Sequence, residues 1–133
     1  MTWHAGQTLP EQSYRVTRAD LIRYTGASGD FNPIHWSDRV ATSVGLPGVI
    51  AHGMYTLALA SRALTSWVGD SALVSSFGAR FTKPVPVPDD DEGTIVDVAG
   101  VVESVEEGEV AIELTVTNDG RKVLGVSTAV VRC

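Results

Sequence analysis

The chain has 133 residues, of which 44% are hydrophobic and 20% are charged. This length and balance suit a single globular domain, 1–133, and exclude a disordered or fibrous chain. Lys and Arg number 10 against 16 Asp and Glu, so the formal net charge is −6. An acidic surface argues against bulk nucleic-acid binding, which needs a basic footprint, but an anionic ligand can still bind at a local basic patch.

No secretory or membrane-spanning segment is evident in the sequence. Residues 1–14 lack the charged start and apolar run of a signal peptide. The longest mostly apolar stretch, 54–64, contains a serine and an arginine and is too short to span a bilayer. The one cysteine, Cys133, cannot form an internal disulfide. We therefore expect a cytoplasmic protein that does not associate with membranes.

The first helix signals lie in the amino-terminal third of the chain. Thr17 followed three residues later by Asp20 is a capping-box-like start. It predicts a short helix over 18–25, with Gly26 suited to its end. A serine cap followed by a short periodic segment predicts a second helix over 38–44.

A third and longer helix is predicted over 53–68, with Gly69 placed to end it. Its apolar residues cover most of the circumference and not one stripe. A helix that is apolar on nearly every side is typically buried. We therefore expect this helix to fill the centre of the fold.

The second half of the chain has the pattern of strands. Over 109–117 apolar and polar residues alternate with a period of two, and the turn sequence "NDG" then predicts a hairpin with a returning strand over 123–131. Two earlier strands are predicted over 74–83 and 94–105, separated by an irregular loop with three prolines. The fold class is therefore α+β, with an antiparallel sheet curled around the long helix.

The segment "SGDFNPIHWSD", residues 28–38, groups an acid, an amide and an imidazole around a glycine and a proline. Gly, Asp, Asn and Pro are also the usual residues of turns. The spacing alone therefore favours a structural role and a catalytic role of this segment equally. An imidazole can take or give a proton at cellular pH, and a carboxylate beside it can orient a water. Asp30 and His35 are therefore candidates for acid–base catalysis, with Asn32 between them.

Other chemistries fit this segment less well. The Gly-Lys-Ser/Thr ending of a phosphate loop is missing, and no G-x-S-x-G elbow of a serine hydrolase occurs. A metal site made by Asp30, Asn32 and His35 is a minor alternative, since it mixes ligand types without a second His or Cys. The sequence therefore predicts neither a metal nor a cofactor.

A second element, "AHGM" at 51–54, places Gly53 in the first turn of the long helix. Free backbone N–H groups at a helix start stabilise developing negative charge, and a glycine lets a carbonyl approach the backbone closely. Gly53 is therefore a candidate oxyanion hole, which together with the acid–base pair suits proton transfer next to a thioester carbonyl. We expect His52 to shape the helix entry, and Trp36 to pack in the core.

The segment "YTGASGDFNPIHWSDRVA", 24–41, followed by "HGM", resembles the hydratase-2 motif of the MaoC-like family. That family comprises (R)-specific enoyl-CoA hydratases and (3R)-hydroxyacyl-ACP dehydratases. The segments "TSWVGD" and "RFTKPVPVPDD" are similar to the catalytic B subunit of the mycobacterial (3R)-hydroxyacyl-ACP dehydratase. The resemblance implies a hot-dog fold with active sites at a dimer interface.

By this resemblance Asp30 and His35 are the catalytic pair and the Gly53 amide binds the thioester oxygen. Asn32 either orients the pair or holds the loop. Ser61 matches a serine that some members place near the site, although a hydroxyl bonded back to its own helix is an equal alternative. Three basic residues are candidate contacts for an acidic carrier, and surface charge is the equal alternative for them: Arg62, Arg80 and Lys83.

The implied activity is the reversible interconversion of trans-2-enoyl and (3R)-3-hydroxyacyl thioesters carried by CoA or acyl carrier protein. The implied partner is a second hot-dog subunit, in a homodimer or a heterodimer. Two alternatives remain open: a subunit that binds acyl chains for a partner dehydratase, and a hot-dog thioesterase, which would lack the Asp-x-Asn-Pro-x-His run.

Overall fold

The structure, a computed structural model, describes residues 2–133. Within this range three α-helices, α1 to α3, follow one another in the chain: Arg18–Ser28, Asp38–Ser43 and Gly53–Val68. The strands β1 to β6 are Thr8–Val16, Val74–Phe81, Thr94–Glu106, Glu109–Asn118, Arg121–Lys122 and Leu124–Arg132. Short 3₁₀ turns span Pro33–His35 and Ser71–Leu73.

The strands form one antiparallel sheet in the order β1-β3-β4-β6-β2, with β5 paired to β4. Strands β1 and β2 lie at opposite edges of this order, yet both contact α3, and so does β3. A sheet whose two edges reach the same helix must curl around it. This is the α+β arrangement that the sequence predicts.

The core lies between the inner face of this sheet and one face of α3. The helix contributes Leu59, Ala60, Ala63, Leu64 and Trp67, all buried. From β4 every second residue is buried, which confirms the predicted period of two: Val110, Ile112, Leu114 and Val116. Among the described residues, no helix is both long and apolar enough to cross a bilayer.

Trp67 explains a glycine in the middle of β3. A Cβ at Gly100 would lie 2.7 Å from the Trp67 ring, so a larger residue cannot stand there without displacing it. The indole Nε1 donates a hydrogen bond to the carbonyl of Pro10 at 2.7 Å. The long helix is thereby joined to both β1 and β3.

The first strand is missing from the sequence-based prediction, which placed only short helices before the long helix. Strand β1 is an edge strand in which few side chains are buried, chiefly Leu9 and Val16. Its pairing with β3 is interrupted by an irregularity between Leu9 and Gln12, around Pro10. A polar edge strand with a proline near its start has no clear period-two signal.

Three further predictions need correction. Helix α1 continues through Gly26 and ends at Gly29, whose φ of 77° is the left-handed conformation common after a helix. Helix α3 has the predicted bounds but is not buried all round, because Met54 on its outer side is 56% exposed. Trp36 is 49% exposed, and its Nε1 donates to the Phe31 carbonyl, so it is not a core residue.

Candidate active site

The loop after α1 is held by a run of side-chain acceptors at every second residue. Ser28 Oγ accepts the Asp30 N–H at 3.1 Å, Asp30 Oδ1 accepts the Asn32 N–H at 3.2 Å, and Asn32 Oδ1 accepts the Ile34 N–H at 3.2 Å. Such local bonds are the ordinary use of Ser, Asp and Asn in turns. They explain the spacing of these residues, and they leave Oδ2 of Asp30 free.

That free oxygen faces the imidazole of His35. Oδ2 of Asp30 lies 3.9 Å from Nε2 of His35, and the two side chains are 50% and 8% exposed. Nδ1 of His35 donates to the carbonyl of Ile50 at 2.8 Å. A carbonyl only accepts, so Nδ1 carries a proton and Nε2 of the neutral ring has a free lone pair. The gap is longer than a hydrogen bond but has the size that one bridging water spans.

His52 packs against one face of the His35 ring. The two rings are stacked with centroids 3.9 Å apart and planes 22° from parallel, and Tyr24 meets His52 edge-on at 4.7 Å. Nε2 of His52 lies 3.1 Å from Thr25 Oγ1 and 3.3 Å from the Asp30 backbone carbonyl. Burial and the neighbouring His35 hold the pKa of His52 below its ordinary value, against opposing contributions from Asp30.

Helix α3 begins at Gly53, immediately after this histidine. The amides of Tyr55 and Thr56 bond to the His52 carbonyl, whereas those of Gly53 and Met54 find no acceptor among the described residues. The first amides of a helix are unpaired within the helix itself and carry its positive dipole end. They are therefore available to an oxygen atom brought to this point.

An apolar cavity of about 440 Å³ adjoins His35 and the start of α3, whereas Asp30 and His52 do not line it. His35 and Gly53 line it together with Phe81 and Lys83. Most of its remaining wall is aliphatic: Ile34, Leu46, Ile50, Val85, Val123 and Leu124. A cavity of this size and character, with a few convergent polar groups, is typical of a site for a small ligand with an apolar portion.

The supporting residues that the sequence predicts are dispersed. Asn32 caps the 3₁₀ turn that carries His35. Ser61 is half-buried on α3 and does not line the cavity. Arg62 places its guanidinium over the Tyr14 ring at 5.0 Å, and Arg80 is an exposed residue of β2 outside the cavity wall. Of the three predicted basic contacts, only Lys83 lines the cavity.

The sequence alone does not identify Phe81 and His52 as residues of the active site. Phe81, at the end of β2, is 53% exposed and covers the start of α3, and His52 joins Asp30 to His35. The available signals were the aromatic residue before "TKP" and the histidine of "AHGM". Neither indicates, without the fold, which residue it contacts.

The structure brings a second histidine, His52, close to Asp30 and His35, so the alternative of a metal site can be tested against geometry. Asp30, His35 and His52 offer ligand atoms within 4.8 Å of one another. Because the two rings are stacked, their in-plane lone pairs run in neighbouring planes and do not converge. His52 Nε2 is also engaged by a carbonyl. This set does not suit the tetrahedral geometry of zinc.

Comparison with known proteins gives a family match over most of the chain. The MaoC like domain matches residues 3–119. The chain is 38% identical over 79 residues to 3-hydroxyacyl-thioester dehydratase X of Mycobacterium tuberculosis, covering 59% of this chain and 27% of that protein. It is 43% identical over 72 residues to dehydratase Y of the same organism, covering 52% and 25%. The chain thus spans about a quarter of the length of these relatives.

A solved structure described as a MaoC-like dehydratase superposes with a TM-score of 0.94 at 35% identity, over 98% of this chain and 40% of that chain. The likeness confirms the hot-dog fold, in which one curved sheet surrounds a long helix. The family match includes the whole of the Asp30–His35 loop and the start of α3 at Gly53. The chain belongs to the MaoC-like domain family.

Proposed function

We propose that the chain interconverts trans-2-enoyl thioesters and (3R)-3-hydroxyacyl thioesters by acid–base catalysis, without a metal or a redox cofactor. One observation carries the proposal: Asp30 Oδ2 and the free Nε2 of His35 face each other across 3.9 Å, and His35 lines an apolar cavity with Gly53. The names of two relatives support the 3-hydroxyacyl-thioester class. The (3R) configuration rests on the motif resemblance.

In the hydration direction, a water lies between Asp30 and His35. Asp30 orients it through Oδ2, and Nε2 of His35 takes a proton as the water oxygen attacks C3. The C3–O bond forms while the C2=C3 π electrons move toward the thioester carbonyl. The amide of Gly53 donates to the carbonyl oxygen, where the negative charge collects. The proton then adds to C2, and dehydration follows the same path in reverse.

The carrier of the acyl group is CoA or an acyl carrier protein, both of which are acidic. Lys83 is exposed and lines the cavity, so it is the basic residue best placed for a carrier phosphate. Ser61, Arg62 and Arg80 take no part in the proposed mechanism, because they do not line the cavity and, among the described residues, form no hydrogen bond or ion pair with Asp30 or His35.

We further propose that the chain works as a homodimer or as a heterodimer with a related hot-dog subunit. Four large apolar side chains on the elements that build the site are exposed: Phe31 (64%), Trp36 (49%), Met54 (56%) and Phe81 (53%). Large apolar patches exposed on a soluble protein commonly mark sites of interaction with another protein or a ligand. The same observation favours a second candidate function, an acyl-binding subunit of a two-chain dehydratase. A single domain over 1–133 and a cytoplasmic location complete the proposal.

The test is hydration of crotonyl-CoA by the purified chain alone, with the product resolved on a chiral column. We expect (3R)-3-hydroxybutyryl-CoA. Asp30→Asn and His35→Ala should each lower kcat by about 10²–10⁴-fold, the usual contribution of a positioned acid or base. His4→Gln, at an exposed histidine outside the site, is the matched control.

Three outcomes would count against this function. Near-normal turnover by the pure Asp30→Asn or His35→Ala variant would exclude the mechanism. Release of free thiol from acyl-CoA would indicate a thioesterase instead. Turnover that requires an added hot-dog subunit and is unaffected by Asp30→Asn or His35→Ala in this chain would favour the acyl-binding role.

A further inference from the structure

His52 occupies the position before α3 where a side chain usually caps the helix, yet it makes no cap hydrogen bond. The side chain is directed away, toward the loop that carries the candidate catalytic residues. It is 1% exposed, which makes it the most buried of the three histidines. A buried polar ring with no capping role needs another explanation for its placement.

The hydrogen bonds of His52 determine which nitrogen carries its proton. Nε2 is 3.3 Å from the backbone carbonyl of Asp30, and a carbonyl can only accept. Nε2 is therefore protonated, and Thr25 Oγ1 at 3.1 Å shares the same proton as a second acceptor. Nδ1 is buried and has no partner among the described residues. A further proton on Nδ1 would have no acceptor there, so the ring is neutral.

The ring thus contacts both members of the candidate catalytic pair by different means. Its edge holds the backbone of Asp30, and its face supports the imidazole of His35, with centroids 3.9 Å apart. Tyr24 also packs edge-on against His52, with ring centroids 4.7 Å apart. The pair itself has only a 3.9 Å approach and no direct hydrogen bond, so its geometry depends on such outside supports.

We propose that His52 is a positioning residue for the Asp30–His35 pair, donating Nε2–H to the Asp30 carbonyl and providing the surface on which the His35 ring stacks. The inference rests on the proposed function in one respect, namely that this pair performs the chemistry. His52 does not touch the substrate in this role. Its neutral state matters because a second positive charge 3.9 Å from His35 would oppose protonation of the catalytic ring.

Two substitutions separate the two contacts. His52→Phe keeps an aromatic face against His35 but removes the donor to Asp30. His52→Gln keeps an amide donor but removes the ring. With kcat measured per folded molecule, we expect His52→Phe to lose on the order of 10²-fold in kcat with little change in KM, the effect of misplacing a reacting group by about 1 Å. His52→Gln should recover part of that loss.

The matched control is again His4→Gln, which should leave both constants unchanged. A kcat for His52→Phe equal to that of the wild type would overturn the proposal. So would losses of total activity in His52→Phe and His52→Gln that the loss of folded protein fully accounts for. Circular dichroism melts of each variant supply the folded fraction.

A second measurement does not depend on activity. In protein labelled with ¹⁵N-histidine, the three imidazoles can be assigned by comparison with His4→Gln and His35→Ala and followed through a pH titration. We expect His52 as the Nε2–H tautomer wherever the protein is folded. A proton on Nδ1 of His52 would overturn the proposal. Where His52→Phe folds, a changed titration of His35 supports it and an unchanged one overturns it.

These measurements distinguish failure of the proposed function from failure of the positioning role of His52. Failure of the wild type to hydrate any enoyl thioester would refute the proposed function but would leave the tautomer and the His35 titration measurable. An active enzyme with the wrong His52 tautomer would refute only the positioning role.

Discussion

Gly53 and Phe81 meet at the start of α3, where a Cβ added at residue 53 would lie 3.2 Å from Cε1 and Cζ of the aromatic ring. That approach is tighter than an ordinary van der Waals contact, so the ring would have to shift. Phe81 is 53% exposed and can move outward. The hydrogen atom of a glycine leaves this space open, so that a carbonyl oxygen can reach the amide.

Gly53→Ala should therefore lower kcat/KM while the protein remains folded. We expect a loss of about 10²-fold, because the thioester oxygen would be held away from its donor. In the double variant Gly53→Ala/Phe81→Ala, removal of the ring should restore part of the rate. If the double variant is as slow as Gly53→Ala, the methyl group alone blocks the amide, and contact with Phe81 is not the cause. Steady-state kinetics with crotonyl-CoA measure kcat/KM for the single and the double variant.

Asn32 provides a test of loop geometry independent of the catalytic groups. Its Oδ1 accepts the Ile34 N–H and caps the 3₁₀ turn that presents His35. Asn32→Asp preserves an acceptor oxygen, whereas Asn32→Ala removes it and the cap contribution of about 1 kcal/mol. We expect Asn32→Ala to lose about fivefold in kcat, the factor that about 1 kcal/mol represents, and Asn32→Asp to remain close to the wild type. An Asn32→Asp variant as slow as Asn32→Ala would show that the amide NH₂ is the required group.

The sequence predicts those elements whose determinants are local. The bounds of α3 are confirmed because Gly69 adopts a φ of 85° at its end, and the capping box of Thr17 and Asp20 is present as expected. Where two glycines could end α1, the sequence alone favoured Gly26, but the backbone turns left-handed only at Gly29. Strand β1 is fixed by its pairing with β3, about 80 to 90 residues later in the chain, and its own residues carry little signal.

The same distinction applies to the site. The loop spacing predicts that Asp30 and His35 approach each other, because the bonds that shape the loop join residues two apart. The support of His35 by the Ile50 carbonyl and by His52 joins segments 15 and more residues apart. Contacts between such distant segments depend on how the helices pack. Neither the hydrophobic periodicity nor the turn-forming residues of the sequence indicate that packing.

Lys83 should contribute to binding of the carrier and not to chemistry. Lys83 lines the cavity, and both CoA and acyl carrier proteins are acidic. We expect Lys83→Ala to raise KM for crotonyl-CoA with kcat nearly unchanged, and the effect to weaken at high salt because the lysine is exposed. Lys122→Ala, at an exposed lysine of β5, is the matched control. If Arg62→Ala raises KM as much as Lys83→Ala does, the carrier takes a different path across the surface.

Asp38 stabilises the segment that leads to the Ile50 carbonyl. Its Oδ1 accepts the Val49 N–H at 2.9 Å, and both carboxylate oxygens accept from Arg18 at 2.9 and 3.1 Å. The backbone hydrogen bond from Val49, followed by the bond from Arg18, lowers the pKa of Asp38 below its ordinary value. A carboxyl with a depressed folded-state pKa contributes stability above its unfolded-state pKa and loses it as the pH falls through the folded-state value.

Asp38→Asn should therefore lower the free energy of unfolding near neutral pH. We expect about 0.5–1 kcal/mol, at the level of a solvent-screened pair, because the side chain is 52% exposed. Thermal melts should show a constant difference from the wild type between about pH 5 and 7, and a shrinking difference below about pH 4, where carboxyls become protonated. Asp91→Asn, in the exposed loop before β3, should show no such difference. A gap between wild type and Asp38→Asn that persists unchanged in acid would mean that the charge of Asp38 does not stabilise this segment.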